Sequence, residues 1–250
     1  FGHLGQQHSS PGYALMVMGV GILALLWAIR HLLVANAPLI RLNALRVPTF
    51  RITMRGGFVL RVTISSAPFM LPLMFQVGFG MDAFHAGSLV LAVFAGNLAM
   101  KPATTPLIRR FGFKKLLIGN GILCVLSLLA CAWLTPDTPQ AATLLVLFIG
   151  GLCRSMQFTG ISSLAFADVP APEMSSANTL FSTSLQLANG LGITLGALCI
   201  RAGDGFAQVF TLSPLPGISF RVGFVIMALI TAVGLWDITR LTSDAGNNVS

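Results

Sequence analysis

The sequence predicts an all-α membrane protein of seven transmembrane helices, and three observations predict it. Only 9% of the 250 residues are charged, and 55% are hydrophobic. A soluble domain carries about 25% charged residues, so a soluble fold of this composition would be coated with apolar surface. Mean hydropathy is +0.84, and the apolar residues run in continuous stretches near the ~20 residues that a spanning helix needs. Those stretches do not alternate in hydrophobicity, as the strands of a membrane barrel must. With no water in lipid to satisfy the backbone, helices are what remains.

Seven stretches qualify: 12–29, 56–77, 87–108, 116–134, 141–167, 177–200 and 220–238. The connections at 81–87, 135–140 and 168–175 are short and rich in turn formers, and that at 201–219 is longer and holds Pro214 and Pro216. Segment 31–55 is a basic linker. Leu39, Ile40, Leu42 and Leu45, with Arg41 and Arg46, fit a short amphipathic helix on the membrane surface; a plain tether fits equally. The expected organisation is a loop and one helix at 1–31, the linker at 32–55, a six-helix bundle at 56–240 and a tail at 241–250.

The charge is +8, from 15 Lys and Arg against 7 Asp and Glu. The basic residues are too scattered for nucleic-acid binding and read instead as orientation. Arg30, Arg41, Arg46, Arg51, Arg55, Arg109, Arg110, Lys114, Lys115 and Arg240 fall on one side, Arg201 and Arg221 on the other. By the positive-inside rule the C-terminus is cytoplasmic. Chain start Phe1 lacks the basic region of a signal peptide, and the expectation is that further sequence precedes it.

Signatures of enzymes and metal sites are absent. There is no GxSxG, HExxH, Walker A or GxGxxG; the four histidines are in loops or at helix ends. Cys124, Cys131, Cys153 and Cys199 lie in apolar stretches without ligand spacing and fit apolar packing. No cofactor and no metal is expected.

Charges within the spans are the most informative residues, because they are costly in lipid and cluster at functional sites. Arg61 is a turn and a half from the predicted inner end of its span, close enough to snorkel. Lys101 is about two turns in. Arg154 is near mid-span, where exposure to lipid costs at least ~3 kcal/mol. It faces a cavity or contacts helix-end carbonyls. Asn97, Gln157, Gln186 and Asn189 are candidates for the same polar lining. All seven acids (Asp82, Asp137, Asp168, Glu173, Asp204, Asp237 and Asp244) lie in loops or at helix ends. In the sixth span Ser184, Ala188, Gly192 and Gly196 recur every four residues and line one face, a surface for close helix packing. Pro68, Pro72, Pro102 and Pro106 invite kinks.

The third span exits through AGNLAMKPATTPLIRRFGFKKLL, residues 95–117. Arg110, Gly112, Lys114 and Lys115 match the tail of the loop motif G-x-x-x-D-R-x-G-R-K, while Thr105 and Arg109 stand where the motif has Gly and Asp. With PLIRLNALRVPTFR (38–51), PFMLPLMFQVGFGMDAFHAG (68–87) and SSANTLFSTSLQLANGLGITLGA (175–197), the chain resembles the fourteen-helix drug:proton antiporter branch of the major facilitator superfamily. The resemblance implies the C-terminal half of an inner-membrane exporter. Six helices would form one bundle of two three-helix inverted repeats. The implied partners are the lipid bilayer, a small amphiphilic or anionic substrate, and protons whose coupling residue lies upstream. A non-transporting scaffold or sensor on the same fold is the alternative.

Overall fold

The computed structural model describes residues 42–209, 217–242 and 245, with five positions between 20 and 30. Those five are helical, but the first predicted span otherwise lies outside the described residues. Residues 43–250 form one unit, and it contains six long helices: α1 (Pro48–Leu73), α2 (Ala83–Phe111), α3 (Phe113–Trp133), α4 (Gln140–Ala167), α5 (Met174–Val209) and α6 (Ile218–Ile238). All six are long and apolar enough to cross a membrane. Even the 21-residue α3 and α6 reach about 31 Å at 1.5 Å per residue. There is no strand among the described residues.

Two expected boundaries are corrected. The basic linker does not run to residue 55: α1 starts at Pro48, placing Arg51 and Arg55 in its first turns. Proline suits a first helical position, where its missing N–H has no partner to lose. Hydropathy detects only the apolar middle of a helix, so it missed this basic start. Ahead of α1 is a single 3-10 turn, Leu42–Arg46; Leu39, Ile40 and Arg41 are outside the described residues. The loop expected from residue 201 is likewise partly helix, since α5 continues to Val209. Its last turns pack on the start of α6: a Cβ at Gly203 would lie 2.3 Å from the Ser219 carbonyl oxygen, and the Ser219 hydroxyl donates to Asp204.

Helix ends follow from local chemistry. Asp82 caps α2, accepting from the His85 N–H at 2.8 Å. That N–H holds the Asp82 carboxyl below its ordinary value, helped by the His85 ring 2.6 Å away. The α2–α3 corner is the single residue Gly112, at φ +73°, where a side chain would be strained. Beyond Pro68 and Pro72, α1 widens into a π turn, Met74–Gly78. A missing proline N–H leaves a carbonyl unpaired and loosens the ladder there.

The helices pair as α2 with α4, α1 with α5 and α3 with α6. Exchanging α1–α3 for α4–α6 maps the first pair onto the second and the third onto itself, a pattern compatible with two three-helix repeats, although the close α5–α6 packing has no equal α2–α3 counterpart. Three apolar clusters are buried: one, with Phe50, Ala165 and Phe181, joins α1, α4 and α5, and two larger ones lie toward the ends. Of these two, one gathers Met70, Phe75, Leu89, Leu147 and Phe224; the other, at the end carrying most of the basic residues, gathers Leu60, Phe113, Leu117, Ile161 and Ile238. Between them lies a buried polar layer with Arg61, Thr63, Asn120, Arg154, Gln157 and Thr231. Its hydroxyls donate to carbonyls of their own helices, Thr63 to Leu60 at 2.9 Å and Thr231 to Met227 at 2.7 Å, which satisfies them without water.

Candidate functional site

The closest helix contact positions the site. In α2–α4 a Cβ at Gly96 would sit 2.1 Å from the Phe148 oxygen, and one at Gly151 would sit 2.1 Å from the Val93 oxygen. Two glycines thus let two backbones touch, and the Ser155 hydroxyl locks the register by donating to the Asn97 carbonyl at 2.9 Å. Beside this contact opens a cavity of about 350 Å³ between α1, α2 and α4, within the size range of small-molecule sites.

Three of the six expected lining residues meet there: Asn97 and Lys101 from α2, Arg154 from α4. Ser155 and Thr159 add hydroxyls, and Ile64, Leu71, Phe94 and Phe158 are among the apolar walls. Arg154 is 8% exposed, so its stem is packed and only part of it reaches the cavity. It also borders a void of about 10 Å³ with Gln157, Thr63 and Thr231, close to the volume of one water. No acid is among the described residues that line the cavity. Its lining sets two cationic side chains and an amide among apolar and aromatic walls.

Gln157, Gln186 and Asn189 lie elsewhere. Gln157 is fully buried between α4 and α3, where its Oε1 accepts from Asn120 Nδ2 at 2.8 Å; that same amide also donates to the Cys153 carbonyl. Gln186 and Asn189 are exposed on α5. Asn189 Oδ1 accepts from the Ser65 hydroxyl at 2.8 Å, bridging α5 and α1. Sequence reveals that a residue is polar and at mid-span; it does not reveal how its helix is rotated.

The small-residue face of α5 lies on α1. Ala188, Gly192 and Gly196 are buried, and a Cβ at Gly192 would lie 2.6 Å from the Val62 oxygen. Ser184 is buried with its hydroxyl unpaired. In the α2–α3 corner, Arg110 and Lys115 are exposed and Lys114 half-buried around Gly112. The Arg110 guanidinium stands 5.6 Å from the Phe111 ring.

Arg61 does not snorkel. It is fully buried, thirteen residues past Pro48, because α1 starts eight residues earlier than hydropathy shows, which places Arg61 deeper. A side chain leans toward the start of its helix, and Arg61 accordingly runs back over Gly57 and Thr53; its Nη2 lies 3.8 Å from where a Gly57 Cβ would be. The guanidinium stacks on the Phe181 ring of α5, 4.3 Å from its centroid. Its Nε, Nη1 and Nη2 have no hydrogen-bond partner among the described residues. Stacking on a desolvated ring returns about 2 kcal/mol, against several kcal/mol for burying an ion. Arg61 was visible as an intramembrane charge; a helix start misplaced by eight residues hid its depth.

Six helices long and apolar enough to span a membrane, enclosing a cavity with polar groups among apolar walls, make a polytopic membrane bundle. Residues 5–193 and 53–247 of the chain match the Major Facilitator Superfamily model. The chain belongs to that superfamily, a family of multi-pass membrane transporters and not of enzymes. Among similar proteins is MdtD of Serratia proteamaculans (strain 568), named as a presumed multidrug resistance protein, 30% identical over 259 residues covering 99% of this chain and 51% of that protein. MdtD of Escherichia coli (strain K12) is 29% identical over 236 residues, covering 94% and 50% respectively. The chain spans about half the length of the curated relatives it matches.

Proposed function

We propose that the intact protein is a secondary transporter of the inner membrane that exports small amphiphilic or anionic molecules, drugs among them, by alternating access coupled to proton entry. The observation that carries this reading is the α1/α2/α4 cavity, where Lys101, Arg154 and Asn97 meet apolar walls and no carboxylate. Two cations without an acid favour an anionic or neutral cargo, since a cation there would meet like charges in a medium of low dielectric. In proteins of the relatives' length a second bundle would face this one and close the cavity. α2 and α5 are the least buried of the six helices, which leaves their outer faces for that contact.

Orientation is part of the proposal. The end of the bundle with Arg51, Arg55, Arg109, Arg110, Lys114, Lys115 and Arg240 is cytoplasmic, and with it the C-terminus. Proton coupling needs a group that titrates within the membrane. The described acids of this chain stand outside or at the ends of its six helices, so the proton-binding carboxylate is assigned to the remainder of the intact protein. A bundle alone cannot rock against a partner, and residues 1–250 alone should not transport.

The test is efflux from cells expressing the full-length protein and loaded with anionic, neutral or cationic fluorophores. The expected result is faster loss of the anionic or neutral dyes, abolished by a protonophore. Efflux restricted to cations, or indifferent to the proton gradient, contradicts the reading. No efflux of any class in well-expressed protein would favour the scaffold or sensor instead.

A further inference from the structure

The buried guanidinium of Arg61 has no place in the cavity just described, and the described residues offer it no hydrogen bond in exchange for water. It lies where α1, α4 and α5 meet: stacked on Phe181 of α5, over Gly57, whose Cβ position is 2.8 Å from Ile161 of α4. All three guanidinium nitrogens are unpaired. The six described acids stand in loops or near helix ends, and the first 41 residues contain none. A second unpaired polar group lies on the same α1–α5 seam, the Ser184 hydroxyl, one turn beyond Phe181 and buried. Arginine does not escape burial by losing its proton. A buried, permanently charged group with every donor free is a receptor waiting for acceptors.

The seam is built to part. Ala188, Gly192 and Gly196 of α5 lie smooth against α1. Its side-chain hydrogen bond, Ser65 to Asn189, is exposed. That contrasts with α2–α4, where a buried serine is tied to backbone. Displacing α5 from α1 would carry the Phe181 ring off Arg61 and bring the guanidinium and the Ser184 hydroxyl to one opening.

We propose that Arg61 is the cation of an occluded anion site between α1, α4 and α5, roofed by Phe181, which takes an aromatic carboxylate when α5 moves away from α1. A planar guanidinium matches a carboxylate with two parallel hydrogen bonds, and the Ser184 hydroxyl supplies a third donor. Phe181 is itself packed on Phe166, with ring centroids 5.0 Å apart, so an aromatic body entering beside the carboxylate meets rings and Ile161. The site differs from the cavity of Asn97, Lys101 and Arg154. It rests on the transport reading only in needing a helix movement of the kind alternating access requires.

Chemical labelling of the full-length protein in membranes tests this without a transport substrate. Ser184→Cys should react with the anionic thiol reagent MTSES well above the level of the identically treated parent protein, since the four cysteines of this chain are buried. Removing the neighbouring cation in Ser184→Cys/Arg61→Met should slow MTSES by roughly tenfold and leave the cationic reagent MTSET no slower. Arg61→Lys in the same background should keep the preference for MTSES. Phe181→Ala should speed labelling, and benzoate should protect. An unreactive Ser184→Cys in folded protein, an MTSES rate indifferent to Arg61→Met, or no protection by benzoate overturns the proposal. Because efflux is not read, its failure is distinct from failure of the transport reading: dyes can be exported while Ser184→Cys stays unlabelled, and the reverse.

Discussion

The two seams that the inverted repeat makes equivalent, α2 on α4 and α5 on α1, are built from the same materials to different ends. Each relies on glycine for close approach, and each holds one arginine at matching depth: Arg154 lies fourteen residues after Gln140 in α4, Arg61 thirteen after Pro48 in α1. Both follow a glycine by four positions, Gly150 and Gly57. At α2–α4 the backbones touch at Gly96 and Gly151, a buried serine fixes the register, and the arginine reaches a cavity. At α1–α5 one glycine, Gly192, brings the backbones close, with its Cβ position 2.6 Å from the Val62 oxygen; the side-chain bond is exposed, and the arginine is shut in beneath a phenylalanine. Depth and residue type therefore do not decide what an intramembrane charge does. The seam beside it does: a fixed seam leaves room for a permanent cavity, and a smooth one makes an occluded site that movement can open.

The largest expected effect breaks the fixed seam. Gly96→Val or Gly151→Val drives a side chain into carbonyl oxygens that cannot yield without separating α2 from α4. We expect a loss of roughly 3 kcal/mol or more, read as failure to elute as a monodisperse peak in detergent. Gly196→Ala, whose Cβ meets side chains at 3.1–3.4 Å, should keep the fold. Gly96→Ala, whose Cβ would lie 2.1 Å from the Phe148 oxygen, should be worse tolerated than Gly196→Ala, and equal tolerance of the two alanines would erase this contrast.

Next come the two arginines. Exchanging a buried, unpaired cation for an apolar group of similar length removes a desolvation penalty of several kcal/mol, so Arg61→Met should melt at or above the wild-type temperature in the absence of ligand. A melt lowered by many degrees would mean that Arg61 has partners in the resting state. Smaller again is Gly112→Ala at the α2–α3 corner. A residue with a Cβ held at φ +73° costs about 1 kcal/mol, a modest fall in melting temperature with transport retained.

The smallest effect is at the cap of α2. The folded state lowers the Asp82 pKa, so its contribution to stability is full above the ordinary Asp value and fades as pH falls through the lowered one. Asp82→Ala should lower the melt slightly at pH 7, and the gap from wild type should close toward pH 3. A gap that widens on acidification contradicts the sign.

Much of this architecture was legible in the sequence, for reasons that also mark where reading fails. Apolar runs located six helices because the bilayer demands them, and Asp82, Gly112 and the prolines mark ends and bends by local chemistry. The start of α1 was not legible, since Arg51 and Arg55 depress hydropathy where the helix continues toward the interface. Asn97, Lys101 and Arg154 stood out as polar groups deep in lipid-length helices. The burial of Gln157 against Asn120, and the exposure of Gln186, depend on helix rotation, which uniformly apolar neighbours do not encode. The Gly96–Gly151 contact was hidden among 26 glycines, because only the partner backbone distinguishes a seam from a spacer.

Efflux by full-length protein carrying Arg154→Ala, normalised to folded protein in the membrane, tests the cavity directly. The cavity reading predicts at least a tenfold loss of export of anionic or neutral dyes, with an unchanged elution profile. Wild-type export of every substrate class by Arg154→Ala would contradict it.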